Sequence, residues 1–287
     1  MRAIPAALKH DPDLFHALLH IEGRHATAAD LSLAHDPAYV AHVRAVVDAV
    51  ADAGAPAHLD PDTVVSSGSW DAATAAAGCV LDAVAMAVDG RAARSFCAIR
   101  PPGHHALFDR AMGFCLFGNV AIAARAARQR HAMDRVLIVD WDVHHGNGTQ
   151  ALVESDPGVH YVSMHQWPWY PGTGAAADRG PHGTVWNVPL PPGLARARYT
   201  SALLEAVDRA TVGFTPDLVL LSAGFDCLRG DPLGGFTLEV EDIELLTREL
   251  TSRAELWCGG RLVSALEGGY AVEQTAAACV AHLRAMV

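Results

Sequence analysis

From residue 95 onward, short apolar runs alternate with longer segments of helical periodicity. The runs lie at residues 95–100, 135–140, 159–164, 185–190, 217–222 and 261–266. Apolar positions recur at helical spacing between and after them, at 119–129, 198–211, 239–256 and 272–286, and upstream at 38–53 and 72–88. A looser helical spacing runs from Ile4 to Leu19. Mostly apolar strands between amphipathic helices predict a parallel sheet covered on both faces. Such sheets hold ligands outside the carboxyl ends of their strands. Gly and Pro gather there, at Pro101-Pro102-Gly103, Pro171-Gly172 and Gly268-Gly269, so the segments after the strands are where chemistry is expected. There is no repeat of fixed period and no low-complexity tail.

Composition narrows the class. A chain of 287 residues suits one large α/β domain or two small ones, and 51% hydrophobic residues can bury a substantial core. The formal net charge of -11 lacks the basic surface that displaces counterions, so no nucleic-acid partner is expected. A cationic substrate is compatible with it. Cys79, Cys97, Cys115, Cys227, Cys258 and Cys279 form no CxxC pair, and reduced, buried thiols of a cytoplasmic protein are expected. The start, Met1-Arg2-Ala3-Ile4-Pro5, has no long apolar leader core, and no unbroken apolar run nears the roughly 20 residues of a membrane span. A soluble protein with no membrane partner is therefore expected.

The strongest local signal is Asp140-Trp141-Asp142-Val143-His144-His145-Gly146-Asn147-Gly148, directly after an apolar strand. In extended chain Asp140, Asp142 and His144 project to one face. Two carboxylates and an imidazole at one strand end are costly unless something offsets their charge. A divalent cation does so, and these donors suit zinc. Asp226 follows the apolar run Leu218–Ser222 through Ala223-Gly224-Phe225 and would be a third ligand, leaving a position open for water and substrate.

Proton transfer has its own candidates. Arg100-Pro101-Pro102-Gly103-His104-His105 follows another strand. Adjacent histidines can divide labour when different partners set their protonation, and Asp140 and Asn147 are the partners at hand. Leu266-Glu267-Gly268-Gly269-Tyr270 follows the last strand, where paired glycines would let Tyr270 swing over the site and donate to an oxyanion.

Together these residues resemble the histone deacetylase superfamily, including bacterial deacetylase-like amidohydrolases and acetylpolyamine amidohydrolases. The match also runs through Gly113-Phe114-Cys115, Ser163-Met164-His165, Pro171-Gly172-Thr173-Gly174 and residues 222–235, and covers most of the chain from about Asp60. Trp141 and Asn147 are most similar to the class II branch. The resemblance implies one domain over 1–287 with the arginase/deacetylase fold, an α/β architecture whose central parallel sheet has about eight strands. It implies zinc held by Asp142, His144 and Asp226, and potassium near Asp140 and Ser163. It makes His105 the general base and acid, His104 its electrostatic partner through Asp140, and Tyr270 the oxyanion donor. Gly113, Phe114, Tyr170 and Gly269 would line a narrow acyl-lysine tunnel. The implied reaction is hydrolysis of an N-acyl amide, acetyl first, to acetate and free amine.

Two substrates fit, acylated lysine and acylated polyamine, and a homo-oligomer is left open. A reading of another class is a degenerate member that only binds acylated ligands; the presence of His104, His105 and Tyr270 speaks against it. The chain departs from the family pattern in starting inside the first helix, at Met1-Arg2-Ala3-Ile4, without the strand that usually precedes it. Gly118 replaces a common Asn, and Tyr170 a common Phe. His10, His16, His20, His25, His35, His42, His58, His131, His160 and His282 are expected to be solvated or singly hydrogen-bonded, and His182 to be a loop residue. Trp167 and Trp169 either shape a pocket rim or pack elsewhere.

Overall fold

The computed structural model describes residues 2–287; Met1 lies outside them. Where the periodicity predicts one loose helical segment there are two short helices, α1 (Ala3–Leu8) and α2 (Pro12–Ala17). Their break is local: Pro12 lacks the amide that would continue α1, and Asp11 caps α2 by accepting from the Leu14 amide at 3.2 Å. Then come α3 (Ala28–Leu31), α4 (Pro37–Ala53), the strands β1 (Ala57–Asp60) and β2 (Thr63–Val65), and the long α5 (Ser69–Val88). The alternating part follows as β3 (Arg94–Cys97), α6 (Asn119–His131), β4 (Val136–Asp140), α7 (Asn147–Val153), β5 (Val159–Gln166) and β6 (Val185–Leu190). It ends with α8 (Arg196–Ala210), β7 (Leu218–Ala223), α9 (Val240–Cys258), β8 (Leu262–Leu266) and α10 (Val272–Met286).

Each of the six predicted apolar runs becomes a strand of one parallel sheet, in the order β3-β8-β7-β4-β5-β6. The sheet thus has six strands where the resemblance implied about eight. The other two, β1 and β2, pair antiparallel with each other alone. β1 has no fully buried residue, so it has no apolar face to place in a sheet covered on both sides. By contrast β4, β7 and β8 are buried at every residue and occupy the middle of the sheet. Asp140 at the end of β4 pairs with Ser163 of β5 on one side and Ser222 of β7 on the other. Ser222 in turn pairs with Ala265 of β8. The carboxyl ends of β4, β7 and β8 therefore stand side by side.

The helices cover this sheet. α5 has a mean hydropathy of 1.5 over an 18-residue window, so by length and composition it could cross a membrane. Asp71, Thr74 and Asp82 interrupt its apolar run, so it contains no unbroken apolar stretch of membrane-spanning length. In this fold it packs against α6, β3 and β8. Two histidines expected to be solvated or singly bonded are wholly buried and bonded at both ring nitrogens. His35 Nδ1 donates to the Leu107 carbonyl at 2.8 Å while Nε2 accepts from the Gly118 amide at 2.8 Å. His282 bridges Thr247 Oγ1 at 2.6 Å and Ser264 Oγ at 2.9 Å. Burial lowers them to about 4 and about 3 respectively. Gly118 has a reason too: a Cβ there would lie 2.8 Å from Leu152 Cδ1.

Candidate active site

Two strand ends bring three donors together. Asp142 and His144 follow β4, Asp226 follows β7, and all three are buried. His144 Nδ1 lies 3.0 Å from Asp142 Oδ1 and 3.2 Å from Asp226 Oδ2, and one donor atom from each of the three residues lies within 4.8 Å of the others. Backbone amides aim the carboxylates: Asp142 Oδ2 accepts from Gly268 at 2.8 Å, and Asp226 Oδ1 from Val143 at 2.9 Å. Gly268 is demanded sterically, since a Cβ would collide with Asp226 Oδ2 and sit 2.6 Å from Asp142 Oδ2. Asp226 Oδ2 is buried and has no hydrogen-bond partner among the described residues, despite its proximity to His144. An oxygen in that state needs a counter-charge. Burial, then the Asp142 charge, pushes Asp226 up to about 7; His144, despite its burial, is pushed up to about 10 by both carboxylates. Two carboxylates and one imidazole, with one carboxylate oxygen left orphaned, form a donor set that fits zinc.

The histidine pair sits against this cluster. His104 Nδ1 is 3.2 Å from Asp140 Oδ2, which also accepts from the Tyr161 hydroxyl at 2.9 Å. His105 Nδ1 donates to Asn147 Oδ1 at 2.8 Å. Burial opposes charge on both rings, but Asp142 and Asp140 hold His104 well above the usual histidine range. Burial and the neighbouring His104 charge hold His105 well below it. Two adjacent imidazoles pushed in opposite directions can hold and move a proton.

Sequence reasoning missed the residue that joins these loops. Glu267, buried at the end of β8, accepts from the Gly103 amide at 2.7 Å and the His104 amide at 3.2 Å through Oε2. Its Oε1 accepts from Ser222 Oγ at 3.1 Å. A Glu between an apolar run and two glycines was the available signal, but its partners lie far off in the chain.

A pocket of about 240 Å³ opens over His104, His105 and His144. Its walls include Gly113, Phe114, Tyr170 and Tyr270, with Asp62, Trp169 and Leu233 also lining it. The Tyr170 ring meets His105 edge-on at 5.1 Å, and Phe114 and Tyr270 lie 6.1 Å apart. The β1–β2 hairpin brackets this wall, because Asp62 Oδ1 accepts from the Gly113 amide at 2.9 Å and Thr63 Oγ1 from the Phe114 amide at 3.1 Å. These bonds hold Gly113 and Phe114 at φ of 57° and 66°, a region costly for Phe. Asp231 Oδ2 fixes Tyr270 by accepting from its amide at 2.8 Å. Asp62 carried no distinctive pattern in the sequence, and Asp231 and Leu233 were not singled out within the 222–235 segment of the resemblance. Trp169, bonded through Nε1 to the Leu233 carbonyl at 2.9 Å, is on the rim; Trp167 is not among the lining residues.

Gly269 is not on the wall either. Its neighbour Gly268 lines the pocket, while a Cβ on Gly269 would point at Thr275 Oγ1, 2.8 Å away, and Phe225. Ser163 pairs with Asp140 across the strands, but its hydroxyl bonds His165 Nδ1 at 3.0 Å.

Fold and site together define an α/β protein with a buried Asp-His-Asp cluster at the carboxyl ends of a parallel sheet. The chain belongs to the histone deacetylase family, whose domain matches residues 1–286. It is 37% identical over 276 residues to histone deacetylase 14, chloroplastic, of Arabidopsis thaliana, covering 91% of this chain and 64% of that one. It is 38% identical over 249 residues to a histone deacetylase-like amidohydrolase of Pseudomonas aeruginosa, covering 85% of this chain and 64% of that one. The chain thus spans less than two thirds of either relative. Among solved structures, an HDA15 HD domain superposes with a TM-score of 0.92 at 36% identity, covering 99% of this chain and 79% of that one. The architecture is accordingly the arginase/deacetylase fold.

Proposed function

We propose that this protein hydrolyses N-acyl derivatives of linear amines, acetyl-lysine first among them, to acetate and the free amine, with zinc held by Asp142, His144 and Asp226. The observation that carries the reading is the meeting of these three side chains beside a divided histidine pair at the base of a narrow pocket. Bound there, zinc would supply Lewis acidity toward the amide carbonyl and ease deprotonation of water. With Nδ1 committed to Asn147, His105 keeps Nε2 free to take a proton from the attacking water and deliver it to the departing nitrogen. His104, held cationic by Asp140 and Asp142, offsets the charge that builds up beside it. Tyr270 keeps its proton, since burial and both carboxylates push its hydroxyl far up, and donates it to the developing oxyanion as a hydrogen bond. Phe114 and Tyr170 flank the substrate's alkyl chain and exclude water from it. Potassium beside Asp140 and Ser163 belongs to the same proposal, supported by their pairing across β4 and β5.

An acetylated polyamine is the second reading, favoured by one observation: the Asp62 carboxylate in the pocket wall suits a cationic chain. A turnover assay of acetyl-lysine peptides, longer acyl-lysines and acetylpolyamines, on chelated and zinc-reloaded protein, separates them. Hydrolysis of acetyl-lysine restored by zinc is expected. Turnover confined to polyamines would transfer the assignment, and inertness toward every amide would end it.

A further inference from the structure

A second cavity, larger than the pocket over the histidines, lies away from the site. A groove of about 600 Å³ runs along β3, the edge strand of the sheet, between α5, α10 and the N-terminal segment. Most of its wall is apolar, but two cysteines distant in sequence line it together, Cys79 of α5 and Cys97 of β3. Cys97 Sγ donates to the Cys79 carbonyl at 3.7 Å, which places the two cysteines in contact across α5 and β3. The chain crosses tightly at this point: a Cβ on Gly23 would lie 2.7 Å from Cys79 Cα. Cys79 is partly exposed and Cys97 is buried behind it.

We propose that Cys79 and Cys97 are a redox-active dithiol, which hydrogen peroxide converts to an intrachain disulfide at the wall of this groove. Their roles differ. The neighbouring Cys97 side chain holds the Cys79 thiol below the ordinary range, against burial, while the Cys79 side chain and burial push Cys97 up. The thiolate is the nucleophile, so Cys79, which also faces the groove, reacts first. Its sulfur attacks the peroxide; an S–O bond forms, the O–O bond breaks, and the departing hydroxide takes a proton to become water. Cys97 sulfur then attacks the sulfenic sulfur. The S–S bond forms, the S–O bond breaks, and the second hydroxide leaves as water with the Cys97 proton. Two electrons from the two thiols have then reduced one peroxide to two waters. The remaining cysteines, Cys115, Cys227, Cys258 and Cys279, are buried and have their thiols pushed up, so they serve as internal controls.

The test uses the full chain, treated with hydrogen peroxide, alkylated, and digested without reductant for mass spectrometry. A cross-linked Cys79–Cys97 peptide is expected, with two of the six thiols lost and both restored by dithiothreitol. In Cys97→Ser, Cys79 should stop as a sulfenic acid that dimedone captures, and in Cys79→Ser, Cys97 should stay reduced. Oxidation of Cys79 no faster than that of the four controls would overturn the proposal. So would conversion of wild-type Cys79 to sulfinic or sulfonic acid while Cys97 stays free.

Discussion

His105 Nδ1 donates to Asn147 Oδ1 across 2.8 Å, and this bond decides which nitrogen of His105 faces the pocket. The acceptor is an amide oxygen, so Nδ1 carries the hydrogen and Nε2 the lone pair. Replacing Asn147 by Asp keeps an acceptor there but adds a negative charge beside an imidazole now held low. The acidic limb of the kcat/KM profile should then move to higher pH, because the base stays protonated further up. Asn147→Ala should lower kcat/KM about 10- to 100-fold, as loss of an orienting partner does. An unmoved limb in Asn147→Asp would remove His105 as the base.

Tyr270 contributes one hydroxyl to the pocket, and Asp231 fixes its backbone rather than that hydroxyl. Tyr270→Phe should therefore keep fold and zinc content and lower kcat by about 100- to 1,000-fold. Metal analysis together with steady-state kinetics checks this. Full activity in the variant would leave the oxyanion without the proposed donor.

Glu267 ties the Gly103–His104 amides to Ser222. Alanine there would orphan two buried amides, each costing about 1–3 kcal/mol, and release the loop that holds the histidine pair. Glutamine keeps an oxygen toward the amides and can donate to Ser222 Oγ through its nitrogen. Thermal melts should show Glu267→Ala well below wild type and Glu267→Gln close to it. Equal losses in both variants would assign the effect to the charge of Glu267 instead.

Asp226 links metal binding to stability. Without a cation its carboxyl sits at about 7, above the ordinary carboxylate value, so the folded state favours the protonated form. That stability is complete at low pH and is lost as pH rises through about 7. Chelated Asp226→Asn should therefore be more stable than chelated wild type in mildly alkaline solution. Adding zinc should raise the melting temperature of the wild type alone. A zinc-induced rise of equal size in both proteins would exclude Asp226 as a ligand.

His35 and His282 set an acid limit. Both are neutral in the fold, at about 4 and about 3, against about 6.5 in the unfolded chain. Because the folded values are depressed, stability is complete above about pH 6.5 and is lost as pH falls toward the folded values. For His35 the loss by pH 4 is on the order of 3 kcal/mol. Denaturant midpoints followed from neutral pH downward should fall over this window, with a shallower fall in His282→Gln. A flat profile would mean that neither ring is kept neutral.

Local pattern alone determined much of this protein. The six apolar runs became the six strands of the sheet, because a strand covered on both faces must be apolar along its length. The donors Asp142, His144 and Asp226 and the histidine pair were legible because each lies in the segment that follows such a strand. What tertiary structure alone decided depends on strand order. Asp226 reaches His144 only because β7 lies beside β4, and Glu267 reaches Gly103 only because β8 lies between β3 and β7. The hairpin carrying Asp62 brackets Phe114 through bonds spanning 51 residues, and the pocket takes Gly268 rather than Gly269 because of how one turn packs on Thr275. Periodicity reports which face of an element is buried; which neighbour buries it is settled by contacts between residues far apart in the chain.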